Sequence, residues 1–391
     1  MFGGIAVECY LDNSATTPVC EQAVAAVTDA LRNNWGNPSS LYRKGMEAEE
    51  VLENARASVA DKLNCRSEEV VFTSGGTESN NIAVLGTANA MKRYGKRVVI
   101  SSVEHSSIEE SASQLEQQGF EVIRLPVGRD GKVPVEELYR AVNRNTVLVS
   151  MMAVNNEVGS VQPVAEMRRA VKAAGAPAVI HCDAVQAFGK LPGLRPSALG
   201  VDLMSVSSHK IHGPKGAGAL YVRGGYKQGG SAVHAAPRTF GGLQEKKLRP
   251  GTEPVPAIAG FGAAAKALPD AARVYPRIEA LQHYLRDGLA AIEGVTINSP
   301  DDALPYILNI STGVNSEPMM NFLSSKGIYV SSGSACAKGH KSHVLVRMGL
   351  PEASVSSALR VSFSHRTTLE EVDYFLAALA EGKRTIRTAK R

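Results

Sequence analysis

Aromatic residues are scarce in this 391-residue chain, at 5% with a single Trp, and they are not interleaved with its basic residues. Single-stranded nucleic acid is bound by stacking bases on aromatic platforms, so a net charge of +5 does not by itself indicate nucleic-acid binding. The densest basic stretch, Lys383-Arg384-Thr385-Ile386-Arg387-Thr388-Ala389-Lys390-Arg391, reads as a frayed, solvated end or a segment that meets a protein partner. No run approaches the roughly 20 apolar residues of a membrane span, and residues 1–10 lack the basic start and apolar stretch of a secretory signal. Cysteines are few, odd in number and irregularly placed (Cys9, Cys20, Cys65, Cys182 and Cys336), which excludes a disulfide framework and points to a reducing compartment. Internal repeats and low-complexity tracts are missing. A cytoplasmic protein is expected, without membrane or nucleic-acid partners.

What is present fits a soluble globular chain: 44% hydrophobic and 21% charged residues, at a length beyond the growth limit of a single core. Short apolar, β-branched runs at 70–73, 97–101, 121–125, 146–151, 178–181 and 203–207 alternate with helix-like segments such as 135–142 and 164–174. This alternation predicts an α/β fold around a largely parallel sheet. After Pro250-Gly251-Thr252-Glu253-Pro254-Val255-Pro256 the texture changes to helical stretches at 257–268 and 278–292. Strands near 306–310 and 359–362 and a closing helix over 369–381 then predict a smaller α+β domain.

In open α/β sheets ligands sit beyond the carboxyl ends of the strands, so polar residues just after apolar runs are the candidates. Four stand out. Thr73-Ser74-Gly75-Gly76-Thr77-Glu78-Ser79-Asn80 is a glycine turn opening a helix, able to cradle a phosphate or merely to cap that helix. Asp183 closes an apolar run, where its partner is either a protonated ring nitrogen or an Arg or Lys. Lys210, after Ser207-Ser208-His209, is placed for Schiff-base chemistry, with Lys215 as its rival. His105 could stack on a flat ring, handle protons, or be an ordinary core or surface histidine. Together, a phosphate cup, a carboxylate, a lysine and a histidine are what pyridoxal 5′-phosphate (PLP) requires of a protein.

The order and wording of these segments resemble the cysteine desulfurases of the iron-sulfur-cluster type, within the class V aminotransferase fold. The matching segments include Tyr10-Leu11-Asp12-Asn13-Ser14-Ala15-Thr16-Thr17, Gly36-Asn37-Pro38-Ser39-Ser40, Val154-Asn155-Asn156-Glu157-Val158-Gly159, His181-Cys182-Asp183-Ala184-Val185-Gln186, Arg249-Pro250-Gly251-Thr252 and Leu359-Arg360-Val361-Ser362. They cover nearly the whole chain. The resemblance implies a PLP-dependent transferase of fold type I: a large domain with a mostly parallel sheet over residues 16–258, and a smaller α+β domain from 1–15 and 259–391 that carries a catalytic cysteine loop. It implies that Lys210 is the Schiff-base lysine, Asp183 pairs with the ring nitrogen, Gln186 contacts the ring hydroxyl and His105 stacks on the ring. Phosphate contacts would come from Gly76, Thr77, Ser207 and His209, with Thr252 reaching in from the second subunit of a homodimer. Asn156 would contact cofactor and substrate, and Arg360 would hold the substrate carboxylate. Tyr42 departs from the pattern, standing where Asn-Pro-Ser-Ser is usually followed by a histidine, and the segment after Cys336 is slightly short.

Sulfur chemistry requires a second nucleophile, and Cys336 fits. It lies in the Gly- and Ser-rich segment Ser331-Ser332-Gly333-Ser334-Ala335-Cys336-Ala337-Lys338-Gly339-His340-Lys341, where mobility is expected and neighbouring cations favour thiolate. The rival reading is a metal site, since Cys336, His340 and His343 are competent zinc ligands at loop spacing. The implied reaction converts L-cysteine to L-alanine and leaves a persulfide on Cys336 for a sulfur-acceptor or scaffold protein. The alternatives are a selenocysteine lyase or another class V aminotransferase, or a partner-binding scaffold that retains PLP.

Overall fold

In the computed structural model, which describes residues 8–227, 233–333 and 341–388, the apolar runs become strands. After a short β1 (Cys9–Tyr10) come β2 (Val70–Thr73), β3 (Arg97–Ser101), β4 (Glu121–Leu125), β5 (Thr146–Met152), β6 (Val179–Asp183), β7 (Leu203–Ser207) and β8 (Gly218–Val222). The last seven form one sheet in the order β2-β8-β7-β6-β5-β3-β4. Every residue of β2, β5, β6, β7 and β8 is buried. Strands covered on both faces read as continuous apolar runs rather than alternating ones, which is how the sequence displays them. At the outer edge β4 is partly exposed, and Arg97 grips Glu121 there with two hydrogen bonds of 2.8 and 2.7 Å. Charges on an edge strand discourage pairing with another sheet.

One strand runs against the others: β8 is antiparallel to both β2 and β7. Only residues 208–217 separate β7 from β8, too few for a parallel crossover, which needs a dozen residues or more. The reversal uses left-handed backbone at His212 (φ 65°) and Gly216 (φ 85°).

The Ala-rich stretch folds as the helix Val255–Ala267, which packs on the helices Glu21–Asn33 and Arg43–Leu63. Its Phe261 makes edge-on contacts with Phe72 and Phe188 at 6.4 Å, seating the helix against the large sheet. The domain division expected at 258/259 falls inside this helix. Beyond it, β9 (Thr296–Ile297), β10 (Ile307–Ser311) and β12 (Ala358–Ser362) form an antiparallel sheet ordered β12-β10-β9. The remaining short strand, β11 (Ile328–Tyr329), pairs in parallel with β1.

Residues 12–14 clasp β12. The Ser14 N–H donates to Ser362 Oγ at 2.9 Å, the Asn13 amide donates to the Ser362 carbonyl at 3.0 Å, and Asp12 pairs with Arg360 at 2.7 Å. The basic tail corrects one expectation. The last helix runs over Leu369–Thr388, and Lys383 is buried, its ammonium donating to the Thr312 carbonyl. A lysine can bury its methylene stem when its head finds a partner, and here the Thr312 carbonyl replaces water at that head. Among the described residues no helix is long and apolar enough to cross a membrane.

Candidate active site

A cleft of about 220 Å³ opens beyond the carboxyl ends of the parallel strands. It is lined by Gly76 and Thr77 after β2, His105 after β3, Asn156 after β5, Asp183, Val185 and Gln186 at the end of β6, and Ser207, His209 and Lys210 at the end of β7. Arg360 enters from β12. Of the cofactor and substrate residues named from the sequence, all but Thr252 line it. Thr252 is exposed on the surface of the chain, and Cys336 lies outside the described residues. Lys210 lines the cleft, while its rival Lys215 is exposed.

At the glycine turn, Gly75 (φ 155°) precedes the helix that begins at Gly76, and no side chain caps that helix start. A Cβ on Gly76 would come within 2.8 Å of Val185 Cγ2, so the close approach of these two turns requires glycine. Ser207 Oγ and Asn80 Oδ1 are buried without a hydrogen-bond partner, as are Ser14 Oγ and Arg360 Nε. Their residues all line the cleft. Buried polar atoms are otherwise almost always paired, so a run of orphaned atoms around one cavity identifies groups arranged for a ligand. An uncapped helix start beside the Ser207 hydroxyl and His209 suits a phosphate.

Asp183 is held from two sides: Oδ1 accepts the Val185 N–H at 2.9 Å and Oδ2 accepts the Asn80 amide at 2.7 Å. That amide also donates to Ser107 Oγ at 2.8 Å, and Ser107 Oγ stands 2.9 Å from His105 Nδ1. Because Nδ1 also accepts the Ser107 N–H at 3.1 Å, the proton of neutral His105 resides on Nε2. Burial pulls the His105 pKa down, against the opposing pull of Asp183 and with help from Lys210 and His343. His209 is held down to about 4, through burial and then Lys210. Both imidazoles are therefore neutral at physiological pH.

The Lys210 ammonium donates to the Ser14 carbonyl and, at 2.8 Å, to the Ala15 carbonyl. Gln186 Nε2 donates to the same Ser14 oxygen at 2.9 Å. Arg360, only 1% exposed, donates to the Asn156 carbonyl at 3.0 Å besides pairing with Asp12. Sequence reasoning missed Asn80, Ser107 and Ser14. The first two were visible as polar residues four positions after Gly76 and two after His105; Ser14 acts through its backbone, which leaves no trace in residue type.

Four cysteines are described and none is in a disulfide. Burial pushes the Cys9 and Cys65 thiols up to about 12 and holds Cys182 far above the ordinary thiol range, so none of these three supplies thiolate near neutral pH. Of the alternative zinc ligands, His343 Nε2 donates to the Glu104 carbonyl at 3.1 Å, while Cys336 and His340 lie outside the described residues.

Residues 9–375 match the family model described as Aminotransferase class-V. A NifS/IcsS protein homolog of Lactobacillus delbrueckii subsp. bulgaricus is 42% identical over 379 residues, covering 95% of this chain and 96% of the relative. Cysteine desulfurase IscS of Escherichia coli is 40% identical over 373 residues, covering 93% and 90%. Among solved structures, a NifS-like protein superposes with a TM-score of 0.88 at 36% identity over 96% of this chain and 99% of that one. SspA in complex with cysteine gives 0.80 at 31% identity over 92% and 99%.

Proposed function

Because this chain belongs to the aminotransferase class-V family, we propose that it is a cysteine desulfurase that binds PLP in the cleft, converts L-cysteine to L-alanine and carries the sulfur as a persulfide on Cys336. The observation that carries this reading is the convergence of Lys210, Asp183, Gln186, His105, Gly76, Thr77, Ser207 and His209 on one cavity rimmed by orphaned polar atoms. Bound PLP supplies an electron sink for the bonds at the substrate's α-carbon. The protein supplies the rest. Thr77, Ser207 and the N–H groups at the Gly76 helix start would donate to the phosphate, Asp183 would keep a proton on the ring nitrogen, and Gln186 would donate to the ring hydroxyl. Lys210 would hold the aldehyde and is the base available to the substrate's α-proton, and His105, with its proton on Nε2, would stack on the ring. Asn156 and Arg360 would orient the substrate, Arg360 holding its carboxylate through the unpaired Nε. The Cys336 thiolate attacks the substrate sulfur, taking it as the C–S bond breaks and leaving that electron pair on the carbon fragment, which is protonated to alanine.

The division into residues 16–258 and 1–15 with 259–391, a cytoplasmic setting and a homodimer belong to the same proposal. For the dimer, the support is a surface. Trp35, Leu41, Tyr42, Met46, Phe240 and Leu243 are all exposed, with Leu41 at 96% and Phe240 at 87%. The first stretch meets the second where Pro38, Ser39 and Leu243 border a common groove. Apolar exposure on this scale suits a second copy, and Thr252 follows directly on the second stretch. In the dimer Thr252 reaches the partner's phosphate.

Incubating the purified protein with L-cysteine, then measuring alanine and the mass of the Cys336 peptide, tests substrate, chemistry and carrier together. We expect alanine and a peptide heavier by one sulfur atom. Cys336→Ser should still bind PLP but form neither, because a hydroxyl supplies no anion near neutral pH and cannot become a persulfide. Alanine formation that survives in Cys336→Ser would overturn the nucleophile reading, and activity lost on zinc chelation of the wild type would favour the metal reading instead.

A further inference from the structure

Behind the cleft lies a buried amine that the proposed chemistry does not use. Lys190, 6% exposed, sits one turn after Gln186 and lines a small second cavity together with Thr17, Lys210, His212, Tyr306 and His365. Its ammonium reaches Gln186 Oε1 at 3.5 Å, at the outer limit of a hydrogen bond, and among the described residues it makes no ion pair with a carboxylate.

Around it the charge is of one sign. Lys210 and Arg360 act on it from the turn after β7 and from β12, while His209 and His212 are depressed in turn by its own charge. His365 faces the same cavity and is itself held down to about 4, mainly by burial. A buried lysine with cationic neighbours and no counter-ion gives up its proton readily. Burial first, then Lys210 and Arg360, bring Lys190 down to about 7.

The geometry has a directional consequence. A lysine can only donate when charged, so it claims the carbonyl end of the Gln186 amide and leaves the NH₂ end for the cleft side, where Nε2 donates to Ser14. We propose that Lys190 is a positioning residue which fixes the orientation of the Gln186 amide and places a titratable charge directly behind Lys210. The part that concerns the cofactor rests on the reading of the cleft as a PLP site; the buried amine does not.

Two measurements on the full chain test it, with Lys190→Met to remove the amine at similar length and Lys190→Gln in case the first variant folds poorly. The first uses apoprotein. Since the folded-state pKa lies below the unfolded value of about 10.4, the wild type is penalised most below pH 7 and is progressively relieved up to about pH 10. The variant should therefore melt higher than wild type at pH 6, and the difference should shrink by pH 10. A difference independent of pH overturns the buried-charge assignment. The second adds PLP: affinity should fall roughly threefold to tenfold in the variant, the scale of one lost hydrogen-bond constraint. The absorbance titration of the Lys210-linked chromophore should shift its midpoint upward, because a cationic neighbour has gone. Unchanged affinity and midpoint overturn the positioning role. If wild type itself binds no PLP, the cofactor reading fails while the melting result still decides the status of Lys190.

Discussion

Two buried charged constellations in this protein differ in one respect. Arg56 and Glu245 form a bidentate pair at 2.8 and 2.9 Å. The remaining valences are filled as well: Arg56 also donates to Glu53 and the Val70 carbonyl, and Glu245 accepts the Phe72 N–H. The cleft is built from similar residue types but leaves Ser207 Oγ, Asn80 Oδ1 and Arg360 Nε unsatisfied. The atoms compared are buried in both. Buried polarity that is satisfied on every side holds structure together, whereas polarity left open costs stability and is kept where a ligand completes it. The Arg56 pair shows what is held. It anchors three consecutive left-handed residues, Glu245 (φ 43°), Lys246 (φ 57°) and Lys247 (φ 69°), immediately before the segment that carries Thr252.

Substitution on each side should separate activity from stability. On the open side, Lys210→Ala should reduce alanine formation by about 10²–10⁴-fold and abolish the borohydride-trapped cofactor adduct. Its melting temperature as apoprotein should stay near wild type; a large fall in melting would place Lys210 among the structural groups. On the closed side, Arg56→Met strands the Glu245 carboxylate and should cost about 3–5 kcal/mol of stability, measured by denaturant unfolding. Arg56→Met combined with Glu245→Gln should recover part of that loss. If Arg56→Met unfolds like wild type, the contrast between the two constellations does not hold.

The smallest effect lies where the two classes meet on a single strand. His181, two residues before Asp183, is closed: its ring nitrogens meet Ser150 Oγ at 2.8 Å and Ser205 Oγ at 2.9 Å, and burial holds its pKa down to about 3. The unfolded chain takes up this proton near pH 6.5 and the folded chain does not. Stability is thus fully present above pH 6.5 and declines as pH falls toward 3, by up to about 1.4 kcal/mol per pH unit for this residue. His181→Gln should flatten the fall of melting temperature between pH 6.5 and 4.5. An unchanged slope would assign the loss to His209, His212 and His365, each of which is depressed to about 4.

The parallel strands were legible because burial on both faces forces an apolar run, and so were the polar residues that end them, such as Asp183 and Lys210. The antiparallel β8 was not. Gly218-Ala219-Leu220-Tyr221-Val222 differs little in composition from a parallel strand, and its direction depends on the length of the preceding turn. Asn80 and Ser107 escaped because each acts on another side chain rather than ending an apolar run. Lys383 was misread because a basic stretch looks solvated until the Thr312 carbonyl is brought to it by tertiary packing.

The clasp between residues 12–14 and β12 bears on biosynthesis. Asp12 and Arg360 are 348 residues apart, and the Ser14 carbonyl that receives Lys210 is fixed in place through Ser362. A chain emerging vectorially from the ribosome holds Asp12 and the Ser14 N–H without their β12 partners until residues 360–362 have been translated. The large sheet can assemble earlier, since its strands lie within residues 70–222, but the pocket cannot close around Lys210 before β12 arrives. Pocket completion is therefore a late event of maturation, subject to the slow closure of a very long loop.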